Sequence, residues 1–216
     1  AANFSNISGD VGEADLALGW DLLWCEKYKD RILNFNNPRD AFGVAMLSLG
    51  LDLNTTDPDD WQAAYEKLSR QDCIYLMDEI YNKMESGEAW ISSYYVGDYL
   101  SMYENNEDLA FYFPKEGTNY FVDAMCIPKG SRNKEAAEAY INFMLSKEIA
   151  IANAEYIYYA SPNSLVVEDP EYADYMGEEA MEILYHEMES FRENYNAYAY
   201  RDLDDDTRGY MNTLWE

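Results

Sequence analysis

Apolar positions recur at helical spacing in several stretches and switch to short β-rich runs in others. Arg31, Ile32, Leu33, Asn34 and Phe35 form a short apolar stretch, read as a strand. Asn36 and Asn37 follow, then Pro38, then Phe42, Ala45, Met46 and Leu49 at helical spacing, closed by Gly50. The order predicts strand, cap, helix and stop. A second helix start lies at Asp57, with Pro58, Asp59 and Asp60 in the first turn and Trp61, Ala64 and Leu68 on one face. Met77, Ile80, Tyr81 and Met84 predict a third helix over about 72–86, stopping at Gly87.

From Ala89 the period changes. Trp90, Ile91, Tyr94, Tyr95 and Val96 predict a buried strand ending at Gly97 and Asp98; Leu109 to Phe113 predict another, broken by Pro114. Tyr120 to Ile127 read as a further strand ending at Pro128, with the carboxylate of Asp123 inside it. Asn133 stands before a helix striped by Ala137, Tyr140, Ile141, Met144 and Leu145. Further helices are expected over about 148–156, 178–190 and 204–215. Helices between strands imply an α/β layer fold. The first sixteen residues are small, polar and acidic without clear periodicity, and read as a flexible remnant.

Composition narrows the function classes. The chain has 216 residues, 48% hydrophobic and 16% aromatic, enough for a sizeable core. Its 42 acids against 15 bases give a net charge of -27, which repels phosphate backbones and anionic lipid surfaces and attracts cations. Nucleic acid is therefore excluded as a partner. The chain shows no run of 18 apolar residues and no charged-then-apolar leader, so it reads as a processed or excised piece. Cys25, Cys73 and Cys126 match no zinc or redox spacing and read as buried or incidental thiols.

An enzyme reading finds little support. His186 is the single histidine, and the nucleophile-elbow, phosphate-loop and dinucleotide patterns are absent. No metal site is expected. The excess of 21 Tyr, 8 Phe and 5 Trp beside the acids supplies both components of a cation cage, ring faces and carboxylates. Candidate positions lie at strand ends, where α/β sheets place ligands: Asn37 to Asp40, Tyr94 to Asp98, and Phe121 to Asp123. Each has a structural alternative. Asp40 at a helix start is favoured by the dipole alone, and Asp98 after Gly97 forms a common turn pair. Asp123 inside an apolar strand needs either a partner or an opening to ligand. Tyr95, Phe121 and Tyr159 taken singly fit core aromatics.

The run Pro114-Lys115-Glu116-Gly117-Thr118-Asn119-Tyr120-Phe121-Val122-Asp123-Ala124-Met125-Cys126-Ile127-Pro128 closely resembles the spermidine/putrescine-binding proteins, the extracytoplasmic receptors of polyamine ABC importers. Trp20 to Lys29, Asn36 to Asp40, Leu53 to Pro58 and Asn153 to Asn163 resemble further segments of that family. The resemblance implies a two-lobed, hinge-closing receptor without catalysis or cofactor, clamping a polyamine and delivering it to a membrane permease. It implies ligand contacts from Asn37, Asp40, Tyr95, Asp98, Phe121, Asp123 and Tyr159, and a looser match points to Tyr200.

Tyr95 and Phe121 stand where the family has Trp, Asn37 is neutral where spermidine-type members have an acid, and Tyr158 replaces a Gly of the signature. The acid at Asp98 tilts the expectation towards putrescine. The resemblance implies a periplasmic-binding-protein-like (type II) lobe with a mixed sheet flanked by helices, plus an incomplete second lobe. Its expected boundaries are a remnant over 1–18, a complete C-terminal-type lobe over 19–113 and 166–216, and a hinge with partial N-terminal-type lobe over 114–165. The family's N-terminal lobe is expected to be missing, leaving exposed edges that invite a homodimer. The full-length protein is expected outside the cytoplasm, anchored to the membrane. The alternative is a truncated receptor-like module that no longer binds ligand and acts through protein contacts.

Overall fold

The computed structural model describes residues 3–8, 11–186 and 188–216. Its chain divides into two compact units, one of Ala2–Phe121 with Glu187–Glu216 and the other of Val122–His186. The division falls at 121/122 and 186/187, against the expected 113/114 and 165/166.

The larger unit is built on a five-stranded mixed sheet of β1 (Asn3–Ser8), β2 (Ile32–Phe35), β3 (Ile74–Leu76), β4 (Ile91–Tyr95) and β5 (Leu109–Tyr112), in the order β3-β2-β4-β1-β5. β2 runs parallel to β3 and β4, while β1 lies antiparallel between β4 and β5. Residues 3–8, set aside by the sequence pattern as part of a remnant, are thus an interior strand. Their order comes from pairing such as Asn3 with Tyr95 and Ile7 with Ala110, which no local period reports.

Helices α1 (Pro38–Leu49) and α2 (Pro58–Leu68) start where the sequence predicts. The Asn37 side chain accepts from the Arg39 amide and the Asp57 side chain from the Asp59 amide, and each helix has proline in its first turn. Gly50 ends α1 in the left-handed conformation that suits glycine. Phe42, Ala45 and Met46 of α1 pack with Trp61 and Ala64 of α2, and with Trp20, Leu22 and Leu23 from a 3-10 stretch over Glu13–Trp24. Removing such side chains from water is the main favourable term of folding.

The expected helix over 72–86 is two elements, strand β3 and then α3 (Glu79–Glu85), because Ile74 to Leu76 find a ladder on β2. Next come α4 (Val96–Tyr103) and β6 (Thr118–Tyr120). The expected strand over 120–127 is not formed: β6 ends at Tyr120, and 121–128 follow as irregular chain. In the smaller unit lie α5 (Lys134–Met144), α6 (Lys147–Ile157), the short α7 (Ser164–Val167) and α8 (Pro170–Leu184), with a break inside α8 at Gly177. Its buried apolar residues are Ala150, Ala154, Val166 and Tyr172. The helix expected over 178–190 is divided, since α8 ends at Leu184 and α9 (Met188–Tyr195) belongs to the larger unit.

Strand β7 (Ala197–Ala199) pairs in parallel with β6, and α10 (Asp205–Trp215) closes the chain on α1 and α2. Of the three cysteines, Cys126 is exposed rather than buried, being in the irregular segment after β6. Cys25 and Cys73 are half-buried, and burial pushes the Cys73 thiol up to about 12.

Candidate functional site

A recess of about 250 Å³ in the larger unit is lined by Asn37, Arg39, Asp40, Tyr95, Phe121 and Tyr200. Five of these come from three chain segments that the sheet order brings together: the start of α1, the end of β4, and the residue after β6. Tyr200, one residue after β7, completes it. Asp40 is buried in the first turn of α1, where the positive end of the helix favours a carboxylate. The Tyr95 hydroxyl donates to Asp40 Oδ2 at 3.3 Å. Burial, and then the Asp40 charge, push the Tyr95 phenol up, and the same two causes push Tyr200 well above its ordinary value. Both phenols therefore stay protonated near neutral pH.

The aromatic components meet at right angles as well as in tilted pairs. Tyr95 and Phe121 pack edge to face with centroids 5.6 Å apart, and Tyr95 lies 4.9 Å from Phe35. A carboxylate at the base of such walls suits a cation that brings both hydrogen-bond donors and apolar surface.

Arg39 is the residue that the sequence pattern passed over. A base in the first turn of a helix opposes the macrodipole, so its position calls for another cause. Its guanidinium donates to the Leu53 carbonyl at 2.8 Å and to Asn54 Oδ1 at 3.1 Å, and lies 4.3 Å from the centre of the Tyr200 ring. Asn54 in turn donates to the Ala199 carbonyl and accepts from the Arg201 amide. Arg39 thus ties the Asn54 turn to the chain after β7 and holds the Tyr200 ring. Burial lowers its pKa from the ordinary arginine range.

Asn37, Asp40, Tyr95 and Phe121, with Tyr200, line this one recess. Asp98 stands in the first turn of α4 and does not line the recess. Its charge, after burial, helps to push the neighbouring Tyr94 phenol up. Asp123 and Tyr159 belong to the Val122–His186 unit. Asp123 is exposed on irregular chain, so the expectation of a charge within a strand is corrected: without a ladder there, the carboxylate is solvated. Tyr159 is half-buried just after α6.

The smaller unit has its own recess of about 340 Å³, lined by Lys147, Glu148, Ile151, Glu155, Asp169, Glu171 and Tyr172. Its cation is internal, since Lys147 Nζ lies 2.6 Å from Asp169 Oδ2. No group of three or more His, Cys, Asp or Glu residues suited to a metal ion occurs among the described residues.

The mixed α/β architecture of this chain is that of periplasmic-binding-protein-like receptors. It is shared with a Listeria monocytogenes protein assigned to spermidine/putrescine ABC transport (30% identity, TM-score 0.81, covering 99% of this chain and 65% of that one). The spermidine/putrescine ABC transporter substrate-binding protein PotD of Streptococcus pneumoniae matches over the same shares, with 28% identity and a TM-score of 0.73.

The chain belongs to the bacterial extracellular solute-binding protein family, whose profile matches residues 11–181. The spermidine/putrescine-binding periplasmic protein of Salmonella typhimurium is 31% identical over 160 residues, 73% of this chain and 46% of that protein. The putrescine-binding periplasmic protein PotF of Escherichia coli is 25% identical over 176 residues, 74% of this chain and 48% of that protein. The chain spans about half the length of these curated relatives.

Proposed function

We propose that this chain binds a polyamine, putrescine or spermidine, as part of an extracytoplasmic receptor that hands the ligand to an ABC transporter permease. The observation that carries the reading is the buried Asp40 carboxylate, set at a helix start and faced by Tyr95, Phe121 and Tyr200. An ammonium group placed there donates a charge-assisted hydrogen bond to the carboxylate and is attracted to the ring faces, while its methylenes cover apolar ring surface. The names of the relatives point to the same ligand class.

Asn37 caps α1 through its side-chain oxygen, which leaves its amide group for the ligand. Asp98, Asp123 and Tyr159 are assigned to the ligand through the family resemblance, and each is testable by its own substitution. The neutral Asn37 and the acid at Asp98 favour putrescine. The role requires no cofactor and no chemical step. Among the described residues no helix is long and apolar enough to cross a membrane.

The test is a thermal shift of this chain at about 0.15 M salt with putrescine, spermidine and magnesium. The reading expects a rise with polyamine and none with magnesium, which controls for the general pull of a -27 charge. Equal response to all three, or none, overturns binding by this chain and favours a receptor-like module that acts through protein contacts.

A further inference from the structure

The turn from Leu53 to Pro58 joins α1 to α2 and lines no part of the recess. Most of its bonds keep the turn in shape and hold it to α2. The Thr55 hydroxyl donates to Asp60 Oδ2 at 2.6 Å and accepts from the Asp57 amide at 3.1 Å, and the Trp61 indole donates to the Thr55 carbonyl at 3.0 Å. The backbone amide of Asn54 donates to Asp52 Oδ1 at 2.9 Å. The Asn54 side chain takes no part in this and reaches elsewhere.

Its bonds converge on Tyr200. Asn54 Oδ1 accepts from the Arg201 amide at 2.7 Å and from Arg39 Nη2 at 3.1 Å, while Nδ2 donates to the Ala199 carbonyl at 3.0 Å. The carbonyl before Tyr200 and the amide after it are the two groups that a neighbouring parallel strand would take up. β7 ends at Ala199, and the Asn54 amide stands in for a ladder partner one residue further on. Its remaining bond steadies the guanidinium whose centre lies 4.3 Å from the centre of the Tyr200 ring. Tyr200 is thus held along its backbone by Asn54 and across its ring by Arg39, which Asn54 also holds.

The task selects the residue type. A primary amide offers an oxygen with two lone pairs beside an N–H donor, and both are used here. Aspartate would keep the two acceptances but set a second oxygen against the Ala199 carbonyl.

We infer that Asn54 is the positioning residue for Tyr200: it fixes that ring as a wall of the Asp40 recess and so sets polyamine affinity without touching the ligand. The effect on affinity rests on the polyamine reading; the placement of the ring does not.

Two measurements test it and keep the two readings apart. The first is calorimetric titration of putrescine into this chain and into Asn54→Ala, Tyr200→Leu and the double variant. Asn54→Ala should weaken binding about tenfold, the scale of one hydrogen bond. In the Tyr200→Leu background it should change affinity by less than about twofold, because sites that act as one unit are not additive. An equal loss in both backgrounds overturns the inference, as does an affinity unchanged by Asn54→Ala. The second measurement needs no ligand: NMR of ring-labelled tyrosine, with the Tyr200 signal assigned by Tyr200→Phe. Asn54→Ala should move that signal towards the position of a solvent-exposed tyrosine, and Asn54→Asp should move it the same way by less. A signal that neither variant moves overturns the inference. If the parent chain binds no putrescine, the polyamine reading falls alone, and the Tyr200 signal still decides whether Asn54 places the ring.

Discussion

The hydroxyl of Tyr200 occupies the space beside Gly43 that a Cβ would fill. That hydroxyl also donates to the Arg39 carbonyl at 3.3 Å, so the close approach fixes the ring against the first turns of α1. Gly43→Ala would ordinarily gain about 0.5–1 kcal/mol in a helix interior. Here the clash should reverse the sign, to a loss of about 1–3 kcal/mol. With Tyr200→Phe the nearest atom left is the ring carbon Cζ at 3.3 Å, and Gly43→Ala should then be nearly neutral. Urea denaturation of the four proteins in this double-mutant cycle measures the coupling.

Asp40→Asn keeps the side-chain shape and an acceptor for Tyr95 while removing the charge. It should weaken polyamine binding by about 1.5–3 kcal/mol, the range for hydrogen bonds to charged groups. Isothermal titration of the variant against the parent chain checks this, and equal affinities would place the ligand elsewhere.

How far these residues could be read in advance depends on how local their determinants are. Asn37, Pro38 and Gly50 announce α1 because capping and φ restrictions act within a few residues, and Asp40 follows from them. Tyr95 and Phe121 were visible as aromatics at the ends of strand-like runs. Strand β3 was hidden inside a helical pattern, because its three residues are held by a ladder on β2 that no local period encodes. The run after Tyr120 shows the reverse case, strand propensity without a ladder to use it. Arg39 and Gly43 act through Tyr200, far away in sequence, and only the wrong-signed charge at the helix start hinted at the first of them.

Tyr158 ends α6 with φ +56°, a left-handed conformation disfavoured for residues with a Cβ. Tyr158→Gly should therefore raise stability by about 1 kcal/mol, seen as a higher midpoint in denaturant with an unchanged slope. A lower midpoint would show that the tyrosine ring contributes more than the backbone strain costs.

Asp169 accepts from the Glu171 and Tyr172 amides at 2.9 and 3.0 Å and pairs with Lys147. The hydrogen bond from Lys147, followed by that from the Tyr172 amide, holds its pKa below the usual carboxylate value. A lowered pKa in the folded state means that its contribution is present above the unfolded value, about 3.9, and is lost as pH falls through the folded one. The thermal unfolding midpoint of the parent chain should fall as the solution is acidified below about pH 4. Asp169→Asn should be less stable at neutral pH and show a flatter acid limb, which parallel melts at several pH values would reveal.

The antiparallel seat of β1 between β4 and β5 has a consequence for the order in which the molecule can assemble. Asn3 is synthesised well before its partner Tyr95 and before the β5 residue Tyr112, which lies opposite Ser5. The first strand must wait, unpaired, until both flanking strands exist, and closing that long loop is an entropic cost met before the contacts reward it. The sheet is therefore expected to close with β1 docking only after β4 and β5 are in place.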